Sequence, residues 1–240
     1  MVTDVSASQD ELILREGELT VTGRLIDASN ATLLSKVSLG EREIPCIYKP
    51  IAGERPLWDF PEGTLAEREY AAYLLSRESG LNVVPLTILR EGPYGKGMVQ
   101  RWVDIDESVD LVEFFQSDDI QLRSMALFDA IINNTDRKIG HLLPTRSGQV
   151  YGCDHGVTFH TEDKLRTVLW QWAGCNFTST ELELLRALNT KFNASFGTLL
   201  ETLITVEEFN ALKLRVNRLI NTGMFPHPSS DWPAVPWPPF

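Results

Sequence analysis

The chain has 240 residues, 43% of them hydrophobic and 23% charged, with a formal net charge of -11. That length admits one large domain or two lobes around a cleft, with a sizeable core. The acidic balance argues against a general nucleic-acid binder, which needs a basic face, and against docking on an anionic membrane; no apolar run approaches the roughly 18 residues of a membrane-spanning helix.

Residues 1–10 are polar and read as disordered, and they carry neither the positive region nor the apolar run of a secretory signal. From residue 19 the pattern is strand-like. Alternating stretches cover residues 19–26 and 32–39, with the polar turn 27–31 between them, and a third strand covers 44–50. Residues 51–63 hold Gly, Pro and charge and read as a loop. Thr64 and Glu67 have the spacing of a capping box, which predicts a helix over 65–78 ending at Gly80. Two more strands are expected over 83–89 and 98–103. After Asp104 the pattern turns helical, over 109–116 and 120–133, then 181–192 and 207–221. A hairpin turn is expected at 145–148. The end of the chain, residues 226–240, is rich in Pro and Trp without periodicity. Its aromatics are costly to leave exposed, so it should lie against the body or bind a protein partner. The fold class is therefore α+β with two lobes: a β-rich lobe with one helix over residues 1–103, and a mainly helical lobe over 104–240.

Three cysteines, Cys46, Cys153 and Cys175, are odd in number and widely spaced. A disulfide framework is not expected, and a reducing cytoplasm suits such a chain.

The densest chemistry lies between Asn134 and His141, followed by Asp154-His155-Gly156. An Asp, a Lys two positions on, a polar residue five positions on and then Asp-x-Gly is the spacing of a kinase catalytic loop and its metal loop. Phosphoryl transfer needs a carboxylate to orient the attacking hydroxyl, a cation against phosphate charge and a second carboxylate for magnesium. Asp136, Lys138 and Asp154 are the candidates. His141 stands where such loops carry Asn. Upstream, Lys49 ends the third strand, where a kinase holds the nucleotide phosphates, and Glu69 on the next helix is the expected partner, with Glu67 second. The turn 27–32 could offer backbone N–H groups to phosphate. Any one of these is an ordinary surface or turn feature; their order along the chain carries the reading.

The run from Asp129 to Arg137 with Asp154-His155-Gly156 resembles the catalytic region of the phosphatidylinositol 3-/4-kinase superfamily, especially its type II phosphatidylinositol 4-kinase branch. Tyr48-Lys49-Pro50 resembles that branch's phosphate-lysine strand, residues 69–74 its Glu-bearing helix, residues 80–87 the strand that follows, and Gln100 to Val103 its hinge. Ser29-Asn30-Ala31-Thr32 resembles its phosphate-loop turn. The likeness covers residues 20–160 and is strongest to small actinobacterial proteins related to phosphatidylinositol kinases. It implies a kinase-like fold with ATP between the lobes. Asn30, Ala31 and Thr32 would meet phosphate, Lys49 and Glu69 would pair, and the backbone near Gln100 and Val103 would meet adenine. Asp136 would be the catalytic Asp. Asp154 would hold Mg2+, with His141 at the second metal position; imidazole there favours Mn2+ or a single metal, because magnesium prefers oxygen. The segment after Gly156 carries only Lys164 and Arg166 as cations, which weakens an inositol-lipid acceptor against a protein hydroxyl or a small polyol.

The residues leave two other readings open. One is a nucleotide-binding module with little turnover. The other is a metal-dependent hydrolase using His141, Cys153, His155 and His160 as soft ligands.

Overall fold

The alternation in the first hundred residues builds a five-stranded antiparallel sheet. The structure is a computed structural model that describes residues 3–25, 31–61 and 63–240. The sheet comprises β1 (Glu18–Arg24), β2 (Leu33–Leu39), β3 (Arg42–Pro50), β4 (Thr87–Gly92) and β5 (Gly95–Arg101), in the order β1-β2-β3-β5-β4. Period-two geometry sorts β3 into two faces. Ile44, Cys46 and Tyr48 join Val37, Ile88 and Val99 in one core, while Ile47 and Lys49 face the other way.

The first correction is at the N-terminus. Helix α1 (Thr3–Glu16) runs through the stretch expected to be disordered. Ile13 and Leu14 are buried in the sheet core, each such burial worth about 1.5–3 kcal/mol. Asp10 adds ion pairs to Arg42 at 3.0 Å and Arg101 at 3.3 Å. A few apolar residues late in a polar stretch suffice once a sheet face is there to receive them.

On the other face lies α2 (Leu65–Ser79), ended by Gly80 at φ 82°. Its start differs from the expected capping box. Thr64 makes no cap hydrogen bond. Instead the Glu54 carboxylate accepts from Leu65 N at 3.1 Å and Ala66 N at 2.8 Å, and Glu67 pairs with Lys96 at 2.6 Å. A carboxylate from the preceding loop thus satisfies the orphan N–H groups.

The strand expected over 83–89 begins only at Thr87, because Val83 and Val84 donate their N–H groups to Ser76 Oγ on α2. The helix expected over 109–116 shrinks to α3 (Leu111–Phe114), capped by Asp110. Helix α4 (Ile120–Ile132) follows, capped by Asp119 and closed by Asn133 at φ 54°. The expected hairpin is β6 (Leu142–Pro144) with β7 (Val150–Gly152). Helices α5 (Ser179–Lys191), α6 (Ser195–Leu200) and α7 (Val206–Thr222) follow, and residues 223–240 end the chain without a helix; α5 and α7 each open on a capping box, Thr178–Glu181 and Thr205–Glu208. The short α6 has no such signal in the sequence.

The larger core joins α2 to the helical part: Ala71, Leu74 and Leu75 pack with Met125, Phe128 and Leu212. Buried Arg68 reinforces that junction. It pairs with Glu208 on α7 at 2.7 Å and donates to Thr158 O at 2.9 Å. The helix that carries Glu69 is therefore pinned from both sides before any ligand arrives.

Candidate functional site

Three distant segments meet at the Lys49 ammonium. It donates to Glu69 Oε1 at 2.8 Å and to Asp154 Oδ1, residues 20 and 105 positions away in the chain. The other Glu69 oxygen accepts from His155 N at 2.9 Å. One carboxylate thus holds both the lysine and the backbone of the loop that presents Asp154. Asp154 takes a left-handed conformation, φ 57°. Asp is among the few types that tolerate it. Burial opposes the Lys49 charge, but Asp154 and Glu69 outweigh it and raise its pKa. Lys49 in turn holds the Asp154 carboxyl well below the usual carboxylate range, against the effect of burial.

Across the cleft, Asp136 sits in the loop that follows α4. Asn134 shapes that loop. Its Oδ1 accepts from Asp136 N at 3.0 Å, and its Nδ2 donates to Asp129 Oδ1 at 2.9 Å. Lys138 Nζ lies 3.6 Å from Asp136 Oδ2. Burial pushes the Asp136 carboxyl up, while Lys138 and Arg166 pull it back in part. His141 Nε2 lies 3.4 Å from Asp154 Oδ2. Burial lowers the His141 pKa to about 4, so the imidazole is neutral near pH 7.

The residues beside these two aspartates point the other way, into the body. Arg137 and Asp129 are both 0% exposed and form a bidentate pair, with Nε at 3.0 Å and Nη2 at 2.8 Å. Arg137 also donates to Cys153 O at 3.1 Å and to His155 Nε2 at 2.7 Å. Since arginine only donates, His155 Nε2 accepts, and its hydrogen is on Nδ1. Burial and Arg137 hold this ring neutral. One buried hub thus fixes the loops of Asp136 and Asp154 relative to each other.

Ala31, Thr32, Lys49, Glu69, Asp136, Lys138, His141 and Asp154 line one cavity of about 540 Å³. Asn30 lies outside the described residues. The Ala31 N–H donates to Gly53 O at 3.1 Å, so it does not serve as a phosphate donor in this arrangement. Gln100 shares the Lys49 face of the sheet, opposite Ile47, but its buried amide donates to Thr87 Oγ1 at 2.9 Å. Neither Gln100 nor Val103 is among the cavity-lining residues.

The soft-ligand cluster is not assembled. Among the described residues no group of three His, Cys, Asp or Glu side chains gathers to hold a metal. His155 is committed to Arg137, and His160 packs edge-on against Phe60. Burial pushes the Cys153 thiol up to about 12, which disfavours the thiolate a metal needs.

The two cations that follow Gly156 also line the cavity. Arg166 donates to Thr135 O at 2.8 Å beside Asp136. Lys164 pairs with Asp59 at 3.2 Å and lies between the Trp58 and Trp232 rings, at 4.9 and 4.3 Å. The hint for the hub was Asp129 itself, a charge within the apolar run of α4.

Lys49 and Asp154 suit a nucleotide phosphate with one divalent cation: an ammonium held by carboxylates, and a half-exposed carboxylate turned to the cleft beside a neutral imidazole. A cation there needs its other ligands from phosphate and water, the usual arrangement for magnesium in phosphoryl-transfer sites.

This sheet-and-helix architecture is a protein-kinase-like fold. The hydra Fam20 structure with sugar superposes with a TM-score of 0.62 at 14% identity, over 92% of this chain and 89% of that one. The Golgi casein kinase with Mn/ADP bound gives 0.60 at 13% identity, over 91% and 75%. The Helicobacter pylori proinflammatory kinase CtkA gives 0.50 at 11%, over 88% and 94%. The sequence matches no protein-family model. Protein Rv2133c of Mycobacterium tuberculosis (strain ATCC 25618 / H37Rv) is 43% identical over 266 aligned positions, covering 96% of this chain and 95% of that protein. The chain belongs to the family of Rv2133c.

Proposed function

We propose that this chain is an ATP-dependent phosphotransferase acting on a hydroxyl acceptor, with its nucleotide cleft between a lobe of residues 1–103 and a lobe of residues 104–240. The observation that carries this reading is the convergence of Glu69 and Asp154 on Lys49, facing Asp136 across one cavity. Bound ATP supplies the phosphoryl group, and magnesium or manganese offsets its charge. Lys49 binds phosphate oxygens and is kept cationic and oriented by Glu69. Asp154 takes the cation with His141 beside it. Asp136 accepts a hydrogen bond from the acceptor hydroxyl and aims it, and Lys138 offsets charge on the phosphoryl oxygens. Thr32, with Asn30 and Ala31, borders the phosphates; the backbone around Gln100 and Val103 is the proposed adenine contact.

The motif resemblance supports placement near the phosphatidylinositol 3-/4-kinase branch. A structural neighbour named a casein kinase and solved with Mn/ADP supports nucleotide, a divalent cation and a protein acceptor. A protein hydroxyl is the preferred acceptor, ahead of a small polyol and an inositol lipid, because both cations that follow Gly156 are already engaged, Lys164 by Asp59 and Arg166 by Thr135 O. Three unpaired cysteines favour a reducing compartment, the cytoplasm.

His141 favours a second reading, a nucleotide-binding module with little turnover, since a neutral nitrogen replaces the oxygen ligand that magnesium prefers. Transfer of labelled phosphate with magnesium and with manganese, by the wild type and Asp136→Ala, separates the two. Manganese-dependent transfer lost in Asp136→Ala is the expected result. Equal signals from both proteins would remove Asp136 from the chemistry, and nucleotide binding without transfer would leave the second reading.

A further inference from the structure

We infer that the C-terminal segment, residues 230–240, is a positioning part of the site: it braces the turn between Lys138 and His141 and walls the cleft with Trp232. Its catalytic consequence rests on the phosphotransferase reading above; the bracing does not.

The segment joins the site at three levels. Pro239 O accepts from Ile139 N at 2.9 Å, the residue after Lys138. Beside it, the Phe240 ring lies 3.8 Å from where a Gly140 Cβ would stand. Ala234 O accepts from Thr167 N at 3.1 Å and from Trp170 Nε1 at 2.8 Å. The segment it holds there is itself paired with the catalytic loop: Arg137 N donates to Arg166 O at 3.1 Å, and Val168 N to Arg137 O at 3.2 Å. The backbone order is thus tail, residues 166–168, catalytic loop. Trp232 closes the arrangement from above, over Lys164, in the cavity that Asp136 lines.

The composition suits the task. Pro233, Pro236, Pro238 and Pro239 have no N–H and restrict φ, so the segment forms no helix and keeps few conformations to lose on docking. What it offers is carbonyl oxygens, and these accept from Ile139 N, Thr167 N and Trp170 Nε1. Lys138 and His141 lie on either side of the Ile139 contact, so a loosened turn displaces both, and displacements of ångström size cost rate far more than affinity.

The test uses the full-length chain. Trp232→Ala/Phe240→Ala removes the wall and the ring that seat the segment. Trp170→Phe removes only the donor to Ala234 and serves as a second variant with less risk to folding. Trp237→Ala, 90% exposed, is the control. Amide hydrogen exchange at Ile139 should rise by about tenfold in the double variant, less in Trp170→Phe and not in Trp237→Ala. ATP turnover with manganese should fall by about tenfold or more, while calorimetric affinity for ATP stays within about twofold of wild type. Exchange at the wild-type rate, or faster exchange with undiminished turnover, overturns the inference. If the wild type binds no ATP, the phosphotransferase reading fails, and the exchange rate alone still decides whether the segment braces the turn.

Discussion

Replacing Asp129 by Ala strips the buried Arg137 guanidinium of the carboxylate it pairs with. Asp129 also accepts from Asn134 Nδ2 at 2.9 Å and from Thr167 Oγ1 at 3.3 Å. Both members of the ion pair are 0% exposed, so water does not replace what is lost. Breaking such a pair from one side costs about 3–5 kcal/mol, because the remaining charge stays buried and unpaired. For a chain of this size that is a fall in Tm of roughly 6–20 °C. Urea denaturation at pH 7, followed by circular dichroism, measures it. Asp129→Leu combined with Arg137→Met should cost less than Asp129→Ala alone, since no charge is then stranded. A loss below about 1 kcal/mol for Asp129→Ala is the scale of a surface ion pair, and it would refute the account of the hub.

Glu54→Ala should cost about 0.5–2 kcal/mol, the value of a helix cap, and more than Thr64→Ala does; the opposite ranking in urea denaturation would restore Thr64 as the cap of α2. In the proposed function Asp136 acts as a carboxylate; burial raises its pKa above the ordinary 3.8, while Lys138 and then Arg166 restrain that rise. Removing the cation in Arg166→Gln raises it further, so the acid limb of the pH–rate profile should move to higher pH, and an unmoved limb would uncouple Arg166 from Asp136. His141→Asn restores an oxygen ligand and should raise magnesium-dependent turnover relative to manganese; a loss with both metals would make His141 itself a working ligand.

The parts legible in the sequence are those whose proposed function needs a residue type at a fixed spacing. Lys49, Glu69, Asp136 and Asp154 were picked out because strand end, helix, Asp-x-Lys loop and Asp-x-Gly follow one another in a set order, and the structure gathers them at one cavity. The sheet was legible through period-two alternation, with ends off by a few residues where Ser76 captures the backbone of Val83 and Val84. What escaped depends on contacts between distant segments. Glu54 caps a helix that begins eleven residues later, where the local pattern pointed to Thr64 and Glu67. Helix α1 exists because the sheet offers a face to Ile13 and Leu14, and no local signal in its polar first residues shows that. Arg137 and His155 look like neighbours of the chemistry in sequence, yet they turn inward and hold it. The aromatics of the C-terminal segment were expected to be covered, yet Trp237 is 90% and Phe240 61% exposed, and the sequence did not show that the segment's carbonyls would meet the backbone at Ile139 and Thr167.

The most direct test of the central claim is calorimetric titration of ATP with manganese into the wild type and into Lys49→Met. The account predicts saturable one-to-one binding by the wild type. It predicts weakening in the variant by roughly 10- to 150-fold, the equivalent of the about 1.5–3 kcal/mol carried by a charged hydrogen bond. No binding by the wild type with either manganese or magnesium, or equal affinity in Lys49→Met, would contradict it.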